Sequence, residues 1–394
     1  FPVYEDLHRA IDGHRMKFVE RYPTTAEIYC PRGVTPAVGE LLRNPDLAAT
    51  FEMLRAADRR ARRRGGRTAG IRAARDCFYR GPIARRISEF IRDHPVVDAT
   101  GKQHAGILTS SDLAAWRAEV EEPIVYRYRG IDVYKCPPWT QGPVFLQQLA
   151  LLQGYDLPSL GHNSEEYLHV LTECAKLAFA DREAYYGDPR FDDVPLQRLL
   201  SDSYNEERRR LVSAVASREM RPGDVGRGCA AYATIDVLQD NRRALGLAGD
   251  APVPAEHPGD TTHLDAADAA GNLIAATPSG GWIQSSPVIE GLGFPLGTRA
   301  QMFYLNARRP NALAPHKRPR TTLTPTLVMK KGEPFMAFGT PGGDTQDQTT
   351  LQFFLNVVDF SMGLQEALDA PTVYSEHFPS SLLPAGALPC TALR

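Results

Sequence analysis

The stretch His257-Pro-Gly-Asp-Thr-Thr-His263 closes a loose run, Ala251-Pro-Val-Pro-Ala-Glu-His-Pro258, and opens a strand pattern. Two hydroxyl residues, Thr261 and Thr262, follow an acidic one at that junction. A threonine hydroxyl is a weak nucleophile unless a base is held beside it. Its own α-amine can be that base once the preceding peptide bond, here Asp260–Thr261, is cut. The same residues also make an ordinary turn ahead of a strand, so the stretch takes its meaning from its surroundings.

Downstream of Thr261 the chain reads as β-structure. His263 to Asp268, the turn Ala269-Ala-Gly-Asn272 and Leu273 to Thr277 form one predicted hairpin. Leu323 to Met329, the turn Lys330-Lys-Gly-Glu333 and Pro334 to Phe338 form a second. Gly339-Thr-Pro-Gly-Gly-Asp344 then opens a helix whose buried face carries Leu351, Phe354, Leu355 and Val358.

Upstream the pattern is mostly helical. Residues 1 to about 100 read as helices with short connectors. Asp46 to Arg55 has apolar residues at helical spacing, and Arg59, Arg60, Arg62, Arg63, Arg64 and Arg67 then run into a Gly65-Gly66 break. No aromatic residues interleave with those arginines, which favours a solvated helix end over a nucleic-acid patch. Val125 to Lys135 alternates around Gly130 as a hairpin. The loop Cys136-Pro-Pro-Trp-Thr-Gln-Gly-Pro143 leads from it to a helix with Phe145, Leu149 and Leu152 on one stripe. Glu165 to Tyr186 is an amphipathic helix with Leu168, Leu171, Ala175, Ala178 and Phe179 on one face, stopped by Gly187-Asp-Pro189. Residues 220 to 258, rich in Gly, Pro and charge, read as an exposed linker into the central junction.

Composition narrows the function classes. The 394 residues carry a net charge of −2 and 43% hydrophobic residues, enough for one large core or two ordinary domains. Nothing global points to nucleic acid or to an anionic membrane, and no run approaches the ~20 apolar residues of a membrane span. Cys30, Cys77, Cys136, Cys174, Cys229 and Cys390 show neither a CxxC pair nor histidines at ligand spacing, which speaks against zinc and gives disulfides little support. Cys174 falls in a helical pattern as a buried thiol. Both ends, Phe1 and the aperiodic Leu383 to Arg394, read as atypical. Any leader would lie upstream, and the cytoplasm is the working expectation.

Acyl transfer needs backbone donors for the developing oxyanion besides an activated hydroxyl. Gly342 and Gly343, entering a helix, offer unhindered N–H groups helped by the helix dipole. With this pair beside Asp-Thr-Thr-His, the chain resembles the γ-glutamyltransferase (γ-glutamyltranspeptidase) family of N-terminal-nucleophile (Ntn) hydrolases. The similarity runs from about Asp112 to Ser381. It rests on Asp112-Leu-Ala-Ala-Trp, Tyr128-Arg-Gly130, Glu173 to Arg182 with Gly187-Asp-Pro189, Thr261-Thr-His263, Thr321-Thr-Leu-Thr-Pro-Thr326 and Thr340-Pro-Gly-Gly343. Pro137-Pro-Trp-Thr-Gln-Gly142 resembles the family's Pro-Pro-Ser-Ser-Gly-Gly loop, and Cys77 to Ala84 resembles an earlier signature.

The resemblance implies an α/β, four-layer αββα sandwich, one large domain built from two segments of a cleaved proenzyme. Residues 1–260 would form the mostly helical large-subunit part, ending in a linker at about 220–260. Residues 261–394 would form the small-subunit part. Thr261 would cut the Asp260–Thr261 bond by an N-to-O acyl shift, then act as nucleophile with its freed amine as base. Ser279, eighteen positions on, matches a hydroxyl that bonds the nucleophile. Gly342 and Gly343 match the oxyanion glycines, and Thr321 and Thr322 a hydroxyl pair that contacts the substrate carboxylate. His263 is expected to make a structural hydrogen bond, since the amine already supplies a base.

The departures bear on substrate. Glutamyl enzymes hold the substrate ammonium with an Asn two residues past the Ser279 position and an Asp in an Asn-Asn-x-Met-Asp-Asp-Phe segment. Those positions here are Gly281 and Met302. An uncompensated ammonium costs several kcal/mol by order of magnitude, about 2–5, so glutathione is expected to be a poor substrate. No counterpart to the family's upstream arginine for the glutamyl carboxylate is visible. Arg299 is a candidate clamp for another acyl carboxylate, or a tie from its loop to backbone carbonyls. Trp282 is a candidate apolar or aromatic wall of the acyl site, or a residue that simply packs.

The expectation is therefore hydrolysis or transfer of an acyl group from an amide through a threonyl acyl-enzyme. The partners are a small-molecule acyl donor, water or an amine as acceptor, and the two segments of the cleaved chain for each other; homo-oligomers of that heterodimer are compatible with it. Neither a metal nor an organic cofactor is required, and neither nucleic acid nor a membrane is expected. Two rivals are a specialised-metabolism enzyme of the same family that cleaves a C–C bond, as in antibiotic biosynthesis, and an inactive scaffold that binds metabolites.

Overall fold

The computed structural model describes residues 1–97, 102–226, 261–280, 282–297, 299–376 and 378–381. The chain forms two compact units, Phe1–Val120 with Gly280–Thr298, and Glu121–Ser279 with Arg299–Arg394. Each unit therefore takes residues from both sides of position 260.

The first unit is helical. It contains α1 (Glu5–Arg21), α2 (Pro23–Tyr29), α3 (Pro45–Tyr79), α4 (Pro82–Asp93), the two-residue strands β1 (Val96–Val97) and β2 (Gln103–His104), and α5 (Ser110–Ala115). Proline at the first helical position starts α2, α3 and α4, where its missing N–H costs nothing. Asn44 caps α3 by accepting from Leu47 N at 2.9 Å. The Gly65-Gly66 break is real: Gly66 has φ 72° and ψ −169°, and the helix reverses so that Gly70 packs on Asp58. The arginines around the break are exposed, and Arg62 pairs with Asp58. Ile83, Ile87 and Phe90 of α4 close a small core with Ile289 and Leu292.

The second unit holds the remaining elements. They are β3 (Ile124–Tyr128), β4 (Ile131–Lys135), α6 (Gly142–Leu152), α7 (Leu157–Leu160), α8 (Glu165–Tyr185), α9 (Leu196–Leu199), α10 (Asp202–Arg209), β5 (Leu264–Ala267), β6 (Leu273–Ala276), β7 (Thr326–Lys330), β8 (Glu333–Phe338), α11 (Gln346–Val358) and α12 (Leu364–Asp369). The main sheet runs β3-β4-β7-β8, antiparallel throughout, with Val133 opposite Val328 and Val328 opposite Met336. The β5–β6 hairpin is a separate two-stranded sheet packed on β7 and β8. Helices α6, α8 and α11 bury Tyr128, Val133, Val328 and Phe338. This stacking of helices, sheet and second sheet follows the expected sandwich.

All eleven residues of α6 are buried, so it is a central helix rather than one with a single apolar stripe. Phe145 meets Phe354 edge-on with ring centroids 5.9 Å apart. Truncation of Phe145 to alanine would cost about 3–5 kcal/mol. The burial of α8 likewise exceeds one face and takes in Glu173, Asp181, Arg182 and Glu183.

Two local expectations are corrected. The strand expected from Leu323 begins at Thr326, and Thr321 ahead of it pairs with the Trp139–Gln141 loop instead. The start of the expected exposed linker, residues 220–225, is mostly half-buried: Gly223 donates to Asp181 Oδ1 at 2.7 Å and approaches Tyr204 too closely for any side chain. Residues 227–258 lie outside the described residues.

Candidate active site

Thr261 and Ser279 face each other across an isolated antiparallel bridge at the base of the β5–β6 hairpin. Their hydroxyl oxygens are 2.9 Å apart. Thr262 N donates to Pro278 O at 3.2 Å, which fixes the register of the pair. Both threonine and serine are half-buried, so the oxygen pair is reachable yet partly shielded from water.

His263 takes no part in that pair. Its Nδ1 lies 2.8 Å from Thr277 Oγ1 and its Nε2 2.9 Å from Asp265 Oδ2, so both ring nitrogens are occupied. Its ring also lies so close to Gly339 that a Cβ there would meet it at 2.4 Å. The histidine thus makes the hydrogen bonds expected of it and packs between the strand that follows Thr261 and the end of β8. It also brings Gly339, where the glycine loop begins, beside that strand.

In this loop Gly342 has φ 128° and Gly343 φ 58°, a region that side chains rarely adopt. Thr345 N and Oγ1 both donate to Gly342 O, at 3.1 and 2.9 Å. A trans peptide points its N–H away from its C=O. With Gly342 O held toward the helix, the Gly343 N–H faces the other way. Neither that N–H nor the one of Gly342 donates to an acceptor among the described residues. Two adjacent amides at a helix entrance form the arrangement an oxyanion needs.

Thr321 and Thr322 are buried. Thr321 runs parallel to Thr140: Thr321 N donates to Trp139 O at 2.8 Å and Gln141 N to Thr321 O at 2.9 Å. The loop before α6 therefore carries the threonine pair.

Beneath the glycine loop lies a charged network that sequence reasoning missed. Arg182, fully buried, donates through Nη1 to Gln141 Oε1 at 2.8 Å and to Asp344, and through Nη2 to Glu183 at 2.8 Å. Ser381 N and Oγ also reach Asp344, each at 2.7 Å. Glu183 accepts from Arg320 at 2.7 Å and from Tyr304. Burial alone would lower the Arg182 pKa, but the carboxylates of Asp344 and Glu183 outweigh it and hold the guanidinium charged. Burial would raise Glu183, and Arg320 and Arg182 hold it below its ordinary range. A second buried pair, Lys135 with Asp347 at 2.9 Å, sits among Thr324 and Thr326. Burial pushes the Asp347 carboxyl up and the Lys135 ammonium down, each partly offset by the other. The available sequence signal was the run Asp181-Arg182-Glu183 inside an otherwise apolar helix.

The substituted glutamyl positions are placed as follows. Met302 is buried, and Arg299 Nη1 donates to its sulfur at 3.5 Å. Burial lowers the Arg299 pKa. Trp282 is buried within the first unit. Gly281 and Asp260 lie outside the described residues.

The profile of the γ-glutamyltranspeptidase family matches residues 1–384. The chain belongs to the γ-glutamyltranspeptidase family. Among members of that family, it is 31% identical over 356 residues to the Acylase ACY 1 proenzyme of Pseudomonas sp. (strain SE83), covering 88% of this chain and 57% of that protein. It is 30% identical over 373 residues to the Glutathione hydrolase-like YwrD proenzyme of Bacillus subtilis (strain 168), covering 94% and 59%. Of solved structures, LmbA2991HD matches with TM-score 0.85 and 45% identity over 98% of this chain and 64% of that one. The cephalosporin acylase of Bacillus halodurans matches with TM-score 0.71 and 28% identity, over 95% and 59%. The chain thus spans under two thirds of the length of these relatives. The fold of this γ-glutamyltranspeptidase-family chain is the Ntn-hydrolase sandwich.

Proposed function

We propose that this chain carries the nucleophile and oxyanion halves of an acyl-transfer enzyme that cuts itself before Thr261. The observation that carries this reading is the 2.9 Å contact of Thr261 Oγ1 with Ser279 Oγ, at the head of the strand that His263 packs against Gly339. In scission, Thr261 Oγ1 attacks the Asp260 carbonyl carbon and the C–N bond breaks, leaving an ester and a free α-amine. Water then releases the Asp260 carboxylate. The segments 1–260 and 261–394 remain associated as large and small parts.

In turnover the amine takes the Thr261 hydroxyl proton while the oxygen attacks the donor amide. The Gly342 and Gly343 N–H groups receive the negative charge. Collapse expels the donor amine, which takes the proton, and water or another amine resolves the acyl-enzyme. Ser279 orients the attacking oxygen. Thr321 and Thr322 line the substrate side.

The acyl group is other than γ-glutamyl. Met302 and Gly281 stand where a carboxylate and an amide would hold the ammonium, and Arg299 against Met302 is a cation where glutamyl recognition calls for an anion. That two relatives bear the name acylase supports this reading. The test combines a denaturing gel with a substrate comparison. Purified protein should run as two fragments and Thr261→Ala as one, and γ-glutamyl-p-nitroanilide should turn over poorly. A single wild-type band would overturn the scission, and brisk glutamyl turnover the substrate class.

A further inference from the structure

We infer that Gln141 is a positioning residue for acyl transfer, which anchors the Gly343 carbonyl, so holds the Gly342–Gly343 pair in place, and acts on the reaction only through it. The inference rests on reading those amides as the oxyanion donors.

Gln141 stands where the resembling family loop has a glycine, and its side chain is fully buried. It is held at every polar atom it could use. Its backbone N–H donates to Thr321 O at 2.9 Å. Its Oε1 accepts from Arg182 Nη1 at 2.8 Å. That acceptance leaves Nε2 directed at Gly343 O, 3.3 Å away. Since Arg182 has only donors, the amide cannot turn over without setting donor against donor.

Two consecutive glycines with positive φ have no side chains of their own to hold their peptides, and a displaced donor is a lost donor. The loop is pinned at successive points: Gly342 O by Thr345, Gly343 O by Gln346 N and from the side by Gln141, and the Asp344 carboxylate by Arg182 and Ser381. Gln141 reaches both the glycine loop, through its side chain, and Thr321 itself, through its backbone N–H. It therefore couples the donors for the oxyanion to the threonines on the substrate side. A glycine at this position has no side chain with which to do so.

The test uses p-nitrophenyl acetate as a generic acyl donor on the cleaved wild-type protein, with Thr261→Ala as control. Burst amplitude counts competent sites, and burst rate against concentration separates acylation from binding. Gln141→Met keeps the volume and removes both hydrogen bonds. Gln141→Glu keeps the acceptor for Arg182 and turns an oxygen toward Gly343 O. Both should show near-normal amplitude and half-saturation, with an acylation rate lower by about tenfold or more. Wild-type rates in both variants overturn the inference, as does a loss confined to amplitude or half-saturation. Failure of both variants to accumulate as folded, cleaved protein overturns it in favour of a folding role. A wild-type burst no larger than that of Thr261→Ala sinks the underlying acyl-transfer reading, a result distinguishable because it precedes any effect of Gln141.

Discussion

Thr261 Oγ1 lies 2.9 Å from Ser279 Oγ, each hydroxyl presented by one strand end of the same hairpin. The two stand eighteen positions apart, and the β5–β6 hairpin between them brings them together. Ser279→Ala should slow both scission and acyl transfer by about 10- to 1,000-fold while leaving the hairpin intact. A gel time course and the acylation burst check this. An unaltered rate would remove Ser279 from the mechanism.

Arg299 and Met302 make a second test. Met302→Asp alone should not recover activity on γ-glutamyl-p-nitroanilide, because Arg299 would neutralise the new carboxylate. Combining Met302→Asp with Arg299→Gln should raise kcat/KM for that substrate by about tenfold over either single change. The four values of kcat/KM decide it.

Gly339 packs against the His263 ring at a distance no real Cβ tolerates. Gly339→Ala should destabilise the protein by about 1–3 kcal/mol through overpacking. Calorimetry should show a lower melting temperature.

Acid should expose the Asp188 site. Burial would raise the pKa of this carboxyl, but hydrogen bonds from Arg190 and Arg318 hold it well below the ordinary aspartate range. The unfolded chain therefore binds the proton more readily than the folded one. The site's contribution is complete above about pH 4 and drains away as pH falls toward the folded value. Asp188→Asn should be less stable at pH 7 and lose less between pH 5 and pH 3 than wild type. Urea midpoints at the three pH values read this out.

The periodic elements were legible before any coordinates. The hairpin around Gly271, the helix from Glu165 and the Gly65-Gly66 break each declare themselves within a dozen or so residues. What alternation cannot name is a partner. Leu323 to Pro325 looked like the start of a strand, yet Thr321 pairs with the Trp139–Gln141 loop and the ladder begins only at Thr326. Composition misled at Gly223, where glycine marks a close approach to Tyr204 rather than solvent. The all-round burial of α6 was hidden because Gln147 and Gln148 look like a wet face, but Gln147 donates to Asp181 and Gln148 to Asp347 O. Thr261, Ser279 and the glycine pair could be singled out because each sits in a short motif. Gln141, Arg182 and Asp344 could not, since the three meet only after folding.

The pairing of β4 with β7 joins chain from before position 260 to chain from after it, five residues against five. The proposed scission before Thr261 would leave every rung of that ladder in place while abolishing the covalent tether between its sides. Reassembly after melting then becomes an encounter between two molecules instead of a rearrangement within one. Its midpoint should climb with protein concentration for the cut form and stay put for Thr261→Ala.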